Sequence, residues 1–268
     1  MNKQKKVLKD GSISRGIEWT DFTWNAIGGC KHGCRWHMPD GSTAICYAEE
    51  VATKVAQAFY PQGFEHHYFK PDKLGEPLRL KNPAKIFCDS MSDLWGHWIP
   101  ETEHEMVLEV MRKASWHTFQ SLTKAPARML MYQKAGYEIP ANMWAGASVP
   151  PSVFMGKELS QHQQERMLHR TLEVLAQLRV PIRWLSIEPL SFDVSAILAE
   201  HPGAIQWAVI GAASNGKKLY QPKPEWVANT LRVLDAQGVA VFFKGNLQWA
   251  EWREEFPGAR EVKQGQLL

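Results

Sequence analysis

Residues 183–211 read RWLSIEPLSFDVSAILAEHPGAIQWAVIG, and their pattern decides the fold class. Arg183–Ile187 and Trp207–Gly211 are short apolar runs bounded by turn residues, as buried strands are, and Val194–Glu200 between them carries apolar side chains at helical spacing. Two buried strands joined through a helix pair in parallel, with a right-handed crossover.

The same unit repeats outward in both directions. Apolar runs recur at Lys85–Cys88, Thr118–Leu122, Met143–Ser148 and Val239–Phe243. The segments between them, Glu101–Ala114, Ala125–Ala135, Leu159–Leu178 and Glu225–Gln237, are predicted helices. With a first strand near Phe22–Ala26 the chain has seven predicted strands, an α/β pattern that suits a complete or partial TIM-type (β/α) barrel. An open doubly wound sheet is the rival arrangement. At 268 residues, 44% hydrophobic, the chain suits one large domain. We take residues 17–256 as that domain, 1–16 as a flexible basic tail around Lys3–Lys9, and 257–268 as a peripheral tail.

In a barrel, the working residues follow the C-terminal ends of strands. Here those positions hold Cys30–Cys46, Asp89–Asp93, Thr123–Lys124, Ser148–Pro151, Glu188–Pro189, Gly211–Asn215 and Lys244–Asn246. The net charge of +3 neither demands nor excludes a nucleic-acid partner. No run of about 18 apolar residues is present, so no membrane span is predicted. Met1–Arg15 lacks the apolar core of a secretory signal, so a cytoplasmic location is expected. There, three clustered cysteines argue for a metal or cluster rather than disulfides.

Cys30, Cys34 and Cys46 can hold three irons of a 4Fe–4S cluster and leave the fourth open. Two other readings stand beside this one: a zinc site completed by His32 or His37, and unligated buried thiols. Cys88, at a predicted strand end, reads as a core residue. Of the twelve tryptophans, those on or beside strands read as core, whereas Trp36, Trp95 and Trp98 in mouth loops are placed to stack on a base.

The Cys30-x3-Cys34 pair followed by Cys46-Tyr47 after a first strand resembles the radical S-adenosylmethionine superfamily. It departs from the usual spacing by the insertion RWHMPDGSTAI, and Ile45 stands where an aromatic residue is usual. The insertion must loop out if Cys46 is to stay near Cys34, and Pro39-Asp40-Gly41 is a suitable turn. IEWTDFTWN, GGC, CYAEE, DSMSDLW, FQSLTKAPARM, WAGASV, WLSIEPL, WAVIGAAS and VAVFFKG, in order, resemble the landmarks of a phage- and mobile-element-associated radical-SAM-like family.

The resemblance implies a 4Fe–4S cluster on the three cysteines, bound S-adenosylmethionine, and an electron donor such as flavodoxin or ferredoxin. It implies that Ser90, Ser92 and above all Asp93 hold the methionine amino group. Ser148 would meet the ribose or carboxylate, and Gly211 would let adenine approach the backbone. Glu188, awkward beside an apolar strand without a partner, is expected to contact cofactor or substrate, or else to pair with Arg183 or Arg128. Lys124 and Lys244 are candidate cations for a substrate carboxylate or phosphate. The expected activity is of isomerase or lyase type, on a thymine-type base in phage DNA or on a modified nucleotide. A repair-type lyase, a peptide or amino-acid modifier, and a zinc-stabilised nucleic-acid-binding module without catalysis are the alternatives.

Overall fold

The computed structural model describes residues 1–7 and 13–258. At its centre β1 (Phe22–Trp24), β2 (Lys85–Cys88), β3 (Thr118–Thr123), β4 (Met143–Ser148), β5 (Arg183–Ile187), β6 (Trp207–Ile210) and β7 (Ala240–Phe243) lie side by side in chain order. Every neighbouring pair is parallel. The connections carry α1 (Tyr47–Lys54), α2 (Glu101–Lys113), α3 (Pro126–Lys134), α4 (Gln161–Gln177), α5 (Ser195–Glu200) and α6 (Pro224–Ala236). Local chemistry sets several starts. Proline occupies the first turn of α3 and α6, where its missing N–H is harmless. Ser160 and Gln163 form a reciprocal capping box on α4.

This sequential order has no switch point, which rules out the doubly wound sheet. Nor is the complete barrel of the sequence reading observed, because both edges of the sheet are occupied. Asn2–Lys3 pairs antiparallel along β1, Asn2 opposite Thr23. At the other edge Phe242 bridges to Glu254. The first residues are thus an edge strand rather than a frayed tail, and Lys5–Val7 continues into a hairpin with Ile13–Arg15. Of the expected C-terminal tail, 259–268 lie outside the described residues.

The two faces of the sheet differ in chemistry. Ile86, Cys88, Phe119, Ala145, Ala147, Leu185, Ile187, Ala208, Ile210, Val241 and Phe243 pack with helix residues such as Leu108, Met111, Leu168, Leu172 and Leu234. The alternate positions carry Phe87, Trp184, Trp207, Val209 and Phe242, joined by Trp19, in an aromatic floor. Trp184 lies 5.1 Å from both Trp19 and Trp207, measured between ring centroids. Gly146 leaves room for it, since a β-carbon there would sit 2.2 Å from the Trp184 ring. Towards the C-terminal ends the same face turns polar, through Ser148, Ser186 and Glu188.

Candidate active site

The cysteine loop leaves β1 through Gly28-Gly29. Gly29 has φ +82°, and a β-carbon on it would lie 1.8 Å from the His66 carbonyl oxygen, so only glycine fits. Its N–H donates to Met91, its carbonyl accepts the Ser92 hydroxyl at 2.7 Å, and the Cys30 N–H donates to Phe64. The loop is thereby fixed to the segment following β2.

The insertion between Cys34 and Cys46 folds as a β-hairpin. Arg35–His37 pairs antiparallel with Thr43–Ile45, with Arg35 opposite Ile45. The turn is closed by Met38 N–H on Ser42 and by Gly41, φ +79°. Cys34 and Cys46 are the next residues at the open end of this ladder and so flank its base on opposite strands. Val153–Phe154 and Lys157–Glu158 extend the hairpin to a four-stranded antiparallel sheet. A second hairpin, Ala213–Asn215 with Lys218–Tyr220, is clasped to its tip. Asp40 accepts from Lys218 Nζ at 2.5 Å and from the Tyr220 hydroxyl at 2.7 Å.

All four cysteines are free thiols. Cys34 and Cys46 pack in one apolar cluster, and Cys30 and Cys46 in the adjoining one. Burial, Asp93 and the other two thiols push Cys30 well above the ordinary thiol value. Burial likewise pushes Cys34 up to about 12, against the opposing charge of Lys124. These thiols keep their protons until a cation displaces them. Cys88 lies on the helix-facing side of β2, against Asp89, as a core residue.

Asp93 ties the loop to the sheet. One oxygen accepts from His32 Nε2 at 2.7 Å, the Thr123 hydroxyl at 2.9 Å and the Lys124 N–H at 2.9 Å, and the other accepts the Trp95 N–H. Burial raises its pKa, but these donors prevail and hold it below the usual carboxylate range. With four donors already engaged, Asp93 has little capacity left for an ammonium. Ser90 donates to Asn25 Oδ1 at 3.2 Å. Neither Ser90 nor Ser92 is therefore a free hydroxyl, although their acceptor lone pairs remain.

Across the mouth, Lys244 Nζ meets Glu188 at 2.9 Å. The expected arginine partners of Glu188 are occupied elsewhere: Arg183 donates to the Ala204 and Gly203 carbonyls, Arg128 to Gly96 and Ile99. Burial pulls the Lys244 ammonium down, and Glu188, with Glu18 and Tyr47, more than reverses this. Gly211 lies against the pair, since a β-carbon there would come within 2.9 Å of Glu188 Cγ. Ser148 is buried at the end of β4, level with Ser186. Its hydroxyl has no hydrogen-bond partner among the described residues. The Lys124 ammonium lies 5.6 Å from the Trp36 ring centre, beside the inserted hairpin.

The sequence singled out Trp36, Trp95 and Trp98 for stacking, but all three are packed. Trp36 is in the hairpin cluster, Trp95 donates to Ser121 within the core, and Trp98 packs edge-on to His32. Two features add to what the strand-end positions and the Cys46-Tyr47 pair imply. Asp89, fully buried with φ +54°, accepts the Ile27 N–H, and burial raises its pKa to about 7. Its position, a carboxylate closing the apolar run KIFC, was the available signal. Tyr47 and Phe59 are the aromatic residues left exposed beside the cysteine loop.

Fold and site together define a sequentially wound α/β protein whose first strand opens into a three-cysteine loop with a hairpin inserted before the last cysteine. The family described as "Protein of unknown function (DUF5131)" matches residues 14–268, and the chain belongs to that family. No curated protein matches the sequence. Among solved structures, "Spore photoproduct lyase complexed with dinucleoside spore photoproduct" is similar in fold, with a TM-score of 0.52 at 9% identity, covering 85% of this chain and 78% of that one. A spore photoproduct lyase double mutant "with bound AdoMet and dinucleoside spore photoproduct" gives 0.50 at 9% identity, covering 90% and 79%.

The donor set, three free thiols, is of the soft type that iron–sulfur clusters use. Among the described residues, no three of His, Cys, Asp and Glu meet as ligands of one metal. His32 is engaged by Asp93, and the exposed His37 lies 2.7 Å from Glu158, so neither completes a zinc site. A 4Fe–4S cluster would likewise need its three thiolates to close around one cubane, one on each of three irons. Cys34 is buried and Cys30 and Cys46 are half-buried; Cys34 and Cys46 flank the base of one hairpin, and Cys30 shares an apolar cluster with Cys46.

Proposed function

We propose that this protein is a radical S-adenosylmethionine enzyme, of lyase or isomerase type, acting on a base of nucleic acid. The observation that carries this reading is the hairpin, which returns Cys46 to the flank of Cys34 across the eleven inserted residues 35–45. Support also comes from the fold shared with a lyase that holds AdoMet and a dinucleoside. A cluster with one open iron, together with S-adenosylmethionine, would supply a 5′-deoxyadenosyl radical for hydrogen abstraction.

The chain's own residues bind, orient and exclude water. Cys30, Cys34 and Cys46 hold three irons, and Asp93, through His32, keeps their loop against β3. The free hydroxyl of Ser148 serves the cofactor's ribose or carboxylate, and Gly211 admits adenine to the backbone. The lone pairs of Ser90 and Ser92 are left for the methionine ammonium, with Asp93 behind them. Lys244 and Glu188 orient a polar substrate group above the aromatic floor, which keeps water out from below. An electron donor such as flavodoxin or ferredoxin completes the system. A thymine-type base of phage DNA is the substrate that the sequence resemblance favours.

The test is iron and sulfide content after anaerobic purification, with S-adenosylmethionine cleavage measured alongside. Cys30→Ala, Cys34→Ala and Cys46→Ala should each lose the brown chromophore and the cleavage, and Cys88→Ala should keep both. Normal iron in Cys34→Ala would sink the assignment.

A further inference from the structure

A cleft of about 400 Å³ lies beside the cysteine loop rather than over it. One wall is α1, and its floor is the top of β1 and β2, with Asn25, Ser90 and Met91. Its remaining lining is unusual in combining exposed aromatic surface with cationic groups. Tyr47 is 63% and Phe59 70% exposed, and both line it. Exposed aromatic rings at the rim of a cleft are free to receive another flat ring.

The charge in the cleft selects among flat ligands. Lys73 is compensated, lying 3.6 Å from Glu76 and 3.8 Å from Asp72. Lys70 has no ion-pair partner among the described residues. Its ammonium sits 5.1 Å from the Tyr60 ring centre and directly above Gly28, where a β-carbon would meet it at 3.2 Å. A half-buried, unpaired lysine calls for an anion. S-adenosylmethionine, with two positive centres and one carboxylate, is poorly matched to that charge, whereas a phosphodiester is well matched. The cleft also has a direction. Tyr47, at the start of α1, directly follows Cys46 in the chain, so that end of the cleft adjoins the cysteine loop. A chain stacked on both rings therefore runs towards the cysteine loop.

We infer that this cleft binds single-stranded or unpaired nucleic acid, with bases stacking on Phe59 and Tyr47, a phosphate on Lys70, and the strand led to the cysteine loop. The inference rests on the proposed function, whose substrate site it names, but its measurement is separate. The probe is a short fluorescent oligothymidylate, single-stranded or annealed, titrated with the anaerobically purified protein and read by anisotropy. Single strands should bind more tightly than duplex. Phe59→Ala should weaken binding at least about fivefold, the lower range for one lost base stack. Lys70→Gln should reduce the slope of log affinity against log salt concentration by about one. Phe59 is exposed, so its loss leaves the fold intact.

S-adenosylmethionine cleavage by the same preparations separates the two ideas. Intact cleavage with oligonucleotide affinity unmoved by both substitutions overturns the cleft and leaves the cofactor reading standing. A colourless, inactive protein whose affinity still falls in both variants overturns the cofactor reading and leaves the cleft. Failure of the parent protein to bind the oligonucleotide, or preference for a peptide, overturns the cleft outright.

Discussion

Asp89 is a carboxylate buried where an ionised group is costly, at a backbone angle that aspartate tolerates better than most residues. Burial sets its pKa near 7 in the folded protein against 3.8 for the unperturbed side chain. The folded state therefore binds the proton more tightly than the unfolded chain. The resulting stability is whole below about pH 4 and is lost as pH rises through about 7, with an upper bound of about 4 kcal/mol. Asp89→Asn cannot ionise and should lose this slope. Thermal melts of both proteins between about pH 5 and pH 8 should diverge, with the parent falling further. Parallel curves would mean that Asp89 is ionised and compensated. Asp93 shows the opposite outcome of equal burial, because four donors surround it while Asp89 has the Ile27 N–H and the Cys88 thiol.

At the scale of elements, the inserted hairpin and its clasp form a layer separate from the core. Asp40, with Lys218 and the Tyr220 hydroxyl, joins two hairpins whose strands are only three residues long. Such short strands hold little on their own, so the clasp should govern their opening. In hydrogen exchange, Asp40→Ala should speed the amides of Thr43–Ile45 and Lys218–Tyr220 and leave β3–β6 unchanged. Equal protection in both proteins would show that the hairpins are held by other contacts.

The central strands were legible in the sequence because runs such as KIFC and WAVI are apolar and bounded by breakers. The short hairpins were not, since RWH, TAI and KLY are too brief for any period to emerge. Asn2–Lys3 was read as a tail because two polar residues carry no strand signal, and its partner Phe22–Thr23 lies far along the chain. Around the candidate site, the spacing of the cysteines and the residues that follow each strand are plain in the sequence. Partnerships such as Glu188 with Lys244 are not, because they depend on which strands lie across the mouth.

At the scale of the whole molecule, the aromatic floor joins strands distant in sequence. Trp184 is fully buried, with Trp19 and Trp207 against it and Gly146 leaving it space. Trp184→Ala should lower stability by about 3–5 kcal/mol in urea denaturation, through lost burial and the void left behind. A loss below about 1 kcal/mol would mean that the floor collapses to fill the space. The sheet itself is unclosed, with Asn2–Lys3 along β1 and the bridge to Glu254 beside β7. A closed cylinder has no strand edges, whereas this sheet has two, and each is covered by a short segment rather than by a further parallel strand. Removing either cover would bare a row of unpaired N–H and C=O groups, a template on which a second chain could add as a strand.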